Sequence, residues 1–495
     1  MRKVNFLLQR MVIKGSTVYG KRRFSRLFRK YLHRRINLEQ VYTIAQQITN
    51  MYRNDGYILS KAVVPPQKIE AGVVRINVIE GFVDRVAIQG QVRGPRKLLS
   101  EYRRGILRSR PLKAKDLERY LLLVDDLPGV SVKSVLTPSK DKPGAPNMTL
   151  ILSNKAYEGS VGLDNRGTEF NGPIQINAGL SGNAVFKNYE RIGLQTVVTS
   201  NTDELQFFSG FYEQPISSEG SKLFFSASVS DSKPGDVLEE FEVVGESKTF
   251  ALKITHPFIR SRAENLTGTL GFTHRNSTTD ILGTLDSEDR LRIVNLGLSY
   301  DFVDEYRGVN LMSFNLSKGF DILNSTETGS ENLTRETGHS DFTKLSGQVL
   351  RLQQLAPSWM LLGAFSWQYS FEKLLSSEEF GVGGAQFGRA YDSSEITGDQ
   401  GVAFKLELQK AFQPKQKYLR DVQAYTFFDY GAVWNRIPTS TGSTVQDLNS
   451  LGVGARFNVT DTISGYLEWD KPLNQEVSAK GDKEGRFFFS LSARF

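Results

Sequence analysis

Residue types suited to catalysis are scarce in this chain. Its 495 residues include no cysteine, and the four histidines are dispersed along the sequence at His33, His256, His274 and His339. The lack of cysteine excludes disulfides, iron–sulfur clusters and thiol catalysis, and dispersed histidines offer neither a metal site nor a credible Ser-His-Asp arrangement. No Walker-type phosphate loop is present. We therefore predict no enzyme, no metal and no cofactor, with a barrel phospholipase or protease as the remaining enzymatic alternative.

One carboxylate is notable for its place in a two-residue pattern. The alternating sets are Val422, Ala424, Thr426, Phe428 and Tyr430 against Gln423, Tyr425, Phe427, Asp429 and Gly431. Alternate side chains of a strand point to opposite faces, and the first set is the more apolar. Asp429 is therefore predicted on the water-facing side of a strand. A carboxylate partly removed from water is costly, so this position favours a cationic partner.

Strands of this kind recur from about Tyr157 to the end of the chain. Sixteen alternating segments are centred near residues 161, 177, 195, 208, 226, 252, 269, 297, 314, 347, 364, 405, 426, 455, 466 and 490. Short turns separate some of them, and long polar spacers lie around 230–247, 274–290, 321–341 and 371–401. An even strand number with short turns on one side and long loops on the other is typical of outer-membrane barrels. A soluble β-sandwich or propeller is the structural alternative.

The composition and the C-terminus agree with a membrane barrel. The longest nearly unbroken apolar run, Trp359–Phe365, is 7 residues, against roughly 20 for a membrane helix. Phe487, Phe489, Leu491, Ala493 and Phe495 alternate with other residues up to a terminal aromatic. This resembles the C-terminal strand that the barrel-assembly machinery reads in bacterial outer-membrane proteins. It predicts a location, with Phe495 as the assembly signal, and no particular function.

The first 155 residues differ from the rest in charge and periodicity. They carry a net charge of +20, whereas residues 156–495 carry −12, so two modules with different surroundings are expected. A basic module could bind nucleic acid, but the barrel pattern decides against that reading. Two β-α-α-β-β units are predicted, over 1–82 and 83–155. Their elements are strands at Phe6–Ile13, Tyr57–Val64 and Val73–Glu80 around a helix from Val41 to Tyr52, then a strand at Val83–Ile88, helices at about Lys97–Leu107 and Lys113–Val124, and strands at Val130–Leu136 and Met148–Leu152.

Two such units before a 16-stranded barrel resemble a known family. They look like the polypeptide-transport-associated (POTRA) domains of two-partner secretion transporters, of the haemolysin and filamentous-haemagglutinin secretion type within the outer-membrane assembly-factor superfamily. GYILSKAVVPPQKIEAGVVRINVIEG (Gly56–Gly81) is similar to the end of that family's first POTRA domain. GGAQFGRAYDSSEITGDQG (Gly383–Gly401) resembles its long loop between strands 11 and 12, and FFDYG (Phe427–Gly431) resembles its Phe-x-Asp-x-Gly barrel motif.

The resemblance implies specific site residues. They are Pro65, Pro66 and Gln67 as the POTRA motif, Gly388, Arg389, Tyr391, Gly398 and Asp399 as the gate or loop motif, and Phe427, Asp429 and Gly431 as the barrel motif. It also implies that Arg389 reaches into the lumen and pairs with Asp429. The alternative is that Arg389 lies in an ordinary extracellular loop and contacts only water.

The function implied by the resemblance is a translocation pore. An unfolded exoprotein, such as a haemolysin or adhesin, is expected to bind the POTRA domains in the periplasm and to be secreted to the cell surface. Exposed edges at Tyr57–Val64 and Val130–Leu136 are candidate docking strands, because an extended chain can add to a free sheet edge. The alternatives are a barrel-assembly insertase of the same superfamily and a diffusive porin.

The expected partners follow from that function, and one feature departs from the family pattern. Outer-membrane lipid and the barrel-assembly machinery are expected partners besides the exoprotein, and nucleic acid is not. Residues 4–8 form too short an apolar core for a secretion signal. We therefore expect the true start to lie elsewhere, or the chain to be a fragment, and we assign no signal peptide and no plug helix.

Overall fold

The chain divides into two compact units, Met1–Lys155 and Ala156–Phe495. The computed structural model describes residues 5–139, 142, 144–414, 419–436 and 445–495. None of the helices within these ranges has the length and apolar character needed to cross a bilayer. Each unit is described by itself below.

The first half of unit 1 is a POTRA fold built on one long amphipathic helix. Its elements are β1 (Asn5–Leu7), β2 (Arg10–Lys14), α1 (Lys21–Phe28), β3 (Arg35–Asn37), α2 (Leu38–Asn54), β4 (Lys61–Val63) and β5 (Val73–Ile79). Asn37 caps α2 in a capping box with Gln40. The apolar face of α2, including Val41, Ile44 and Ile48, is fully buried against the sheet β2-β5-β4.

Two predicted strands of this half are wrong in extent. The stretch Phe6–Ile13 is broken at Leu8 and Gln9, because β1 pairs with β3 while β2 pairs in parallel with β5. The predicted strand Tyr57–Val64 is reduced to Lys61–Val63, because the amide of Tyr57 bonds the carbonyl of Tyr52 and starts a turn. The Tyr57 ring packs edge-on against Tyr52 in that turn, so its apolar character serves the helix rather than a strand.

The second half of unit 1 follows the β-α-α-β-β order. Its elements are β6 (Arg85–Gln89), α3 (Arg96–Arg108), α4 (Ala114–Asp125), β7 (Val130–Thr137) and β8 (Asn147–Asn154). The sheet order is β6-β8-β7, so β7 is an edge strand paired on one side only. Most of β7 is exposed, in contrast to β8, where alternate residues are buried.

Unit 2 is a closed antiparallel barrel of 16 strands, as predicted. The barrel strands are β9 (Tyr157–Asp164), β10 (Gln175–Asn183), β11 (Arg191–Thr199), β12 (Leu205–Pro215), β13 (Lys222–Ser232), β14 (Val244–Arg260), β15 (Glu264–Ile281), β16 (Thr284–Val303), β17 (Gly308–Gly319), β18 (Thr343–Ala356), β19 (Trp359–Ser370), β22 (Gln400–Phe412), β23 (Asp421–Trp434), β24 (Val445–Asn458), β25 (Ile463–Pro472) and β26 (Arg486–Arg494). Two further short strands, β20 (Phe380–Val382) and β21 (Ile396–Gly398), pair with each other in the long connection between β19 and β22.

One predicted loop is a hairpin instead. Residues 274–290 continue β15 and β16 to a two-residue turn at Leu282 and Gly283, both with positive φ. These strands contain 18 and 20 residues, more than the roughly 10 that cross a bilayer. Beyond the lipid both faces meet water, so the apolar alternation stops while the backbone ladder continues. Polarity alone therefore misidentified this segment.

A half-buried carboxylate organises the turn that precedes α1 in the first POTRA fold. Glu80 accepts hydrogen bonds from the amides of Thr17 and Val18 at 2.9 and 3.0 Å, from the Thr17 hydroxyl, and from the Tyr52 hydroxyl at 2.7 Å. Partial burial by itself would raise the pKa of Glu80. The hydrogen bonds outweigh burial and hold the pKa below its ordinary value, because they stabilise the ionised form.

We predict a pH-dependent contribution of Glu80 to the stability of this fold. Because its folded pKa is lowered, the contribution should be complete above the unfolded pKa of about 4.3 and lost as pH falls through the folded value. Glu80→Gln should therefore destabilise the fold at pH 7 and differ less from wild type at pH 3. Hydrogen exchange of residues 16–19 across this range measures the difference. A gap between the two proteins that widens toward low pH would contradict the assignment.

Candidate functional site

The long connection between β19 and β22 folds back on itself before it meets the barrel wall. The β20–β21 hairpin brings Gly383 and Gly384 to the start of a tight turn, where both have positive φ. The amide of Gly383 bonds the carbonyl of Phe387, and the amide of Tyr391 bonds the carbonyl of Gly388. A Cβ on Gly383 would lie 2.1 Å from the carbonyl oxygen of Asp392, so only glycine fits there. This turn presents Arg389.

Arg389 lies inside the barrel and is almost completely buried. Its Nε and Nη2 donate to the two carboxylate oxygens of Asp429 at 3.0 Å each, and its backbone amide donates to Oδ2 at 3.1 Å. Nη1 donates to Glu407 at 2.6 Å and to Glu468 at 3.5 Å. The bidentate geometry with Asp429 fixes the orientation of the guanidinium, which a lysine could not do.

The three residues of the barrel motif all face this loop. The Phe427 ring lies under the Arg389 guanidinium, with 3.3 Å between the guanidinium carbon and the ring centroid. Asp429 is fully buried and provides the main ionic contact. Gly431 makes room for the hairpin, since a Cβ there would come within 2.3 Å of Val382. The Phe-x-Asp-x-Gly spacing therefore places three features on one face of β23: an aromatic ring under the guanidinium, a carboxylate that pairs with it, and a glycine that leaves space for Val382.

Sequence reasoning missed most of the ionic network around Arg389. Glu407 on β22 and Glu468 on β25 are both buried, and Arg456 holds Glu407 through two bonds of 2.6 and 3.1 Å. The Tyr425 hydroxyl donates to Glu468 at 2.7 Å. The signal that could have found them is the same alternation that marked Asp429, because a carboxylate at a lumen-facing strand position needs a partner.

Of the remaining loop-motif residues, Gly388 and Tyr391 flank Arg389 in the middle of the loop, and Gly398 lies near its end. Gly388 has φ +79°, and the Tyr391 hydroxyl lies 3.2 Å from the carbonyl oxygens of Asn449 and Gln475. Gly398 ends β21 where a Cβ would stand 3.0 Å from the backbone nitrogen of Trp434. Tyr391 therefore binds the loop to the barrel, Gly388 provides the positive φ of the turn, and Gly398 allows close approach to β23.

Asp399 belongs to a second cluster, separate from the Arg389 site. It is fully buried, and it accepts from Arg335 at 2.6 Å and from the amides of Leu374 and Arg436 at 2.8 and 2.9 Å. Arg335 comes from the 320–342 connection and also pairs with Glu379 at 2.9 Å. Asp399 therefore ties the base of the long loop to a second loop.

In the POTRA motif, Gln67 completes a β-ladder. Pairing of β4 with β5 runs down to Val63 opposite Asn77, which would place Pro65 opposite Arg75. Proline has no amide proton, and the Gln67 side chain instead donates to the Arg75 carbonyl and accepts from its amide, both at 2.8 Å. Pro65 and Pro66 thus end β4, and Gln67 satisfies the strand beside it.

Phe495 lies at the closure of the barrel. Its amide and carbonyl exchange two hydrogen bonds of 3.0 Å with Gly159 of β9, and its side chain is 66% exposed. The Phe495 ring lies over Gly159, where a Cβ would come within 2.2 Å of the ring in this position. Among the described residues, no group of three or more His, Asp or Glu is arranged to hold a metal ion.

A POTRA-type module followed by a closed 16-stranded barrel with a buried loop motif defines an outer-membrane transport barrel. A family model described as haemolysin secretion/activation protein ShlB/FhaC/HecB matches residues 152–457, and one described as POTRA domain, ShlB-type, matches residues 6–81. The chain therefore belongs to the ShlB/FhaC/HecB family of haemolysin secretion/activation proteins.

Named relatives and solved structures agree with this membership. The heme/hemopexin transporter protein HuxB of Haemophilus influenzae (strain 86-028NP) is 24% identical over 479 residues, which is 95% of this chain and 83% of HuxB. The outer membrane transporter CdiB of Dickeya dadantii is 24% identical over 412 residues, covering 81% of this chain and 72% of CdiB. The structure of CdiB from Escherichia coli superposes with a TM-score of 0.81 at 20% identity, over 99% of this chain and 91% of that one, and establishes the shared fold.

The protein is an outer-membrane transporter of the two-partner secretion type, with its POTRA module in the periplasm. Members of the family are transporters rather than enzymes, and a secreted exoprotein is the partner that this type of transporter implies. The predictions of family, fold, function and location are confirmed.

We predict that Arg389 and Asp429 are energetically coupled. Arg389→Ala and Asp429→Ala should each destabilise the protein by about 3–5 kcal/mol, because each leaves an uncompensated buried charge. The double variant should cost much less than the sum. Urea unfolding of the barrel in lipid vesicles measures the double-mutant cycle.

An exposed ion pair of the same barrel provides the matched control. Lys222 and Glu213 are 3.0 Å apart with side chains 30% and 26% exposed, so their coupling should stay below about 1 kcal/mol. If Arg389 and Asp429 instead proved additive within about 0.5 kcal/mol, the contact would carry no specific energy.

Proposed function

We propose that the protein binds an unfolded exoprotein at the free edge of β7. It then secretes the exoprotein through the lumen when the Arg389 loop breaks its contacts with the barrel wall. The observation that carries this proposal is the loop motif itself, which occupies the barrel interior through a buried ionic network. In this proposal the loop moves out of that space to let the polypeptide pass.

The edge of β7 is suited to receive an added strand. The Val132 amide points away from β8, since it donates to the side chain of Asp125 at 3.1 Å. By the two-residue period of a strand, the amides of Ser134 and Leu136 face the same way. No described residue pairs with these two amides, and the side chain of Leu136 is 44% exposed. An extended chain could add there through main-chain hydrogen bonds, largely independently of its sequence.

The corresponding edge of the first POTRA fold is a poor acceptor. β4 is only three residues long, and its outward amide at Ala62 already donates to the Thr49 hydroxyl of α2 at 2.9 Å. Beyond Val63, Pro65 and Pro66 offer no amide protons at all. Of the two docking edges expected from the sequence, we therefore propose β7 and not the segment Tyr57–Val64.

Charge would bring the cargo to this edge. Unit 1 carries +20 over residues 1–155. A field of this sign draws in acidic or polar segments over about one Debye length, roughly 8–10 Å at physiological salt. This electrostatic attraction weakens as ionic strength rises. It increases the association rate of the exoprotein but does not select a particular sequence.

The remaining partners follow from the barrel surface. Exposed apolar side chains such as Phe428, Leu451 and Leu467 alternate with the lumen-facing set and would contact outer-membrane lipid. Phe495, with its exposed ring at the end of the last strand, would be read by the barrel-assembly machinery. A free diffusive pore agrees less well with the structure, because a porin gains nothing from burying an arginine network in its channel.

We predict that Ser134→Pro lowers secretion of the exoprotein. The substitution removes one outward amide proton of β7 and leaves the amides that face β8 in place. Loss of one or two hydrogen bonds should weaken cargo binding by about five- to a hundredfold. Secretion is measured with the exoprotein gene co-expressed, and cargo binding by pull-down from detergent.

Ser134→Ala is the matched control, since it removes the side chain and keeps the amide. It should secrete normally. Faster migration of unboiled than boiled protein in SDS gels would show that both variants still form a closed barrel. Undiminished secretion by an inserted Ser134→Pro variant would rule out β7 as the docking edge.

A further inference from the structure

A second arginine, Arg166, also contacts the loop motif. Arg166 follows β9 in the connection to β10, and its side chain is only 12% exposed. Nη1 donates to the backbone carbonyl of Arg389 at 2.7 Å, and Nη2 donates to Glu468. Nε donates to the Tyr466 hydroxyl at 3.1 Å. Arg166 thus shares Glu468 with Arg389 and also binds the main chain of the loop.

The contacts of Arg166 cross the line where the barrel closes. β9 pairs with β26 there, and this seam has five register pairs and the two hydrogen bonds between Gly159 and Phe495, whereas the other described barrel pairings have between 8 and 18 register pairs. From the end of β9, Arg166 reaches past β26 to β25, where it also lies 3.4 Å from Asp470. Its guanidinium carbon stands 3.7 Å from the ring centroid of Phe488 on β26.

The neighbouring residue lengthens the short seam with its side chain. Asn165 Nδ2 donates to the carbonyl of Phe487 at 2.8 Å, and Oδ1 accepts from the amide of Phe489 at 2.7 Å. The side-chain amide therefore adds two hydrogen bonds at the end of the ladder, where the backbone amide of Asn165 also donates to the Phe489 carbonyl at 3.3 Å. Asn165 and Arg166 together bind β26, β25 and the loop.

The backbone at this point is fixed. The amide of Arg166 donates to Asp164 Oδ1 at 3.0 Å, and a Cβ on Gly167 would lie 1.9 Å from the carbonyl oxygen of Gly172. A rigid backbone of this kind keeps a side chain in one geometry and reduces the entropy lost when it binds. Arg166 is therefore held in a geometry that allows it to bind the loop with little further loss of conformational entropy.

We infer that Arg166 is a positioning residue that couples the seat of the Arg389 loop to the closure of the β9–β26 seam, with Asn165 as its partner on the seam. When the loop leaves, Arg166 loses its hydrogen bond to the Arg389 carbonyl. Glu468 then keeps Arg166 but loses Arg389 as an ionic partner. The seam then loses the side-chain contacts that supplement its five register pairs. This coupling rests on the proposed function, in which the loop bound to Asp429 represents the closed state of the pore.

Hydrogen exchange of the intact protein in nanodiscs tests the coupling without any secretion assay, so it can fail separately from the proposed function. Arg166→Ala should accelerate exchange by at least about tenfold in two segments, the loop 383–392 and the seam strands 160–164 and 486–494. Because coupling is reciprocal, Arg389→Ala should accelerate both segments too. The β14–β15 hairpin should not change in either variant.

Two further variants separate positioning from general destabilisation. Arg351→Ala removes another arginine of the barrel, which lies on β18, pairs with Asp304 at 2.5 Å and, among the described residues, contacts neither the loop nor a seam strand, so both segments should keep the wild-type rates. Arg166→Lys keeps the charge without the fork of donors and should give intermediate rates; it also replaces the alanine variant if that protein does not fold. Acceleration of only one segment by Arg166→Ala or Arg389→Ala, or equal acceleration throughout the barrel, would overturn the inference.

Discussion

A guanidinium group inside the barrel, with only 4% of the Arg389 side chain exposed, requires compensation by negative charge. Asp429, Glu407 and Glu468 provide it from three different strands, and the backbone of the loop is drawn to the wall by the same contacts. The carboxylates in turn would be costly to bury without arginine. Loop and wall therefore stabilise each other, and neither arrangement is favourable alone.

This mutual dependence explains several features that have no ionic character. Phe427 provides an aromatic surface beneath the guanidinium, and Gly431 allows Val382 to approach the strand. Glycines at Gly383 and Gly388 adopt positive φ so that the turn can present Arg389 at all. Arg335 and Asp399 fix the base of the loop outside this site. The ion pairs at Arg389 are buried, so each charge depends on its partners, and removal of any one of them is costly.

The sequence predicts the parts of this arrangement that follow a repeating pattern. Two-residue alternation identifies 16 strands and the lumen-facing position of Asp429. The resemblance of the 383–401 loop and of Phe427–Gly431 to family motifs then predicts that Arg389 pairs with Asp429. Arg166 and Arg335 lie in connections with no periodicity, so nothing local marks them as buried. Glu407 and Glu468 occupy lumen-facing positions where polar residues are common, and only the fold shows that they converge. Residues 274–290 were misidentified because a strand beyond the lipid has no apolar face.

We propose that the Arg389 loop closes the lumen and has to leave Asp429, Glu407 and Glu468 during transport. A disulfide between Val382→Cys and Gly431→Cys tests it directly, because the chain has no other cysteine and the two Cβ positions are 3.1 Å apart, a few tenths of an ångström from disulfide geometry. The account predicts that secretion stops in the oxidised double variant and returns on reduction, while the single Val382→Cys variant, which adds no atom beside Gly431, secretes in both conditions. Undiminished secretion with the disulfide fully formed would contradict it.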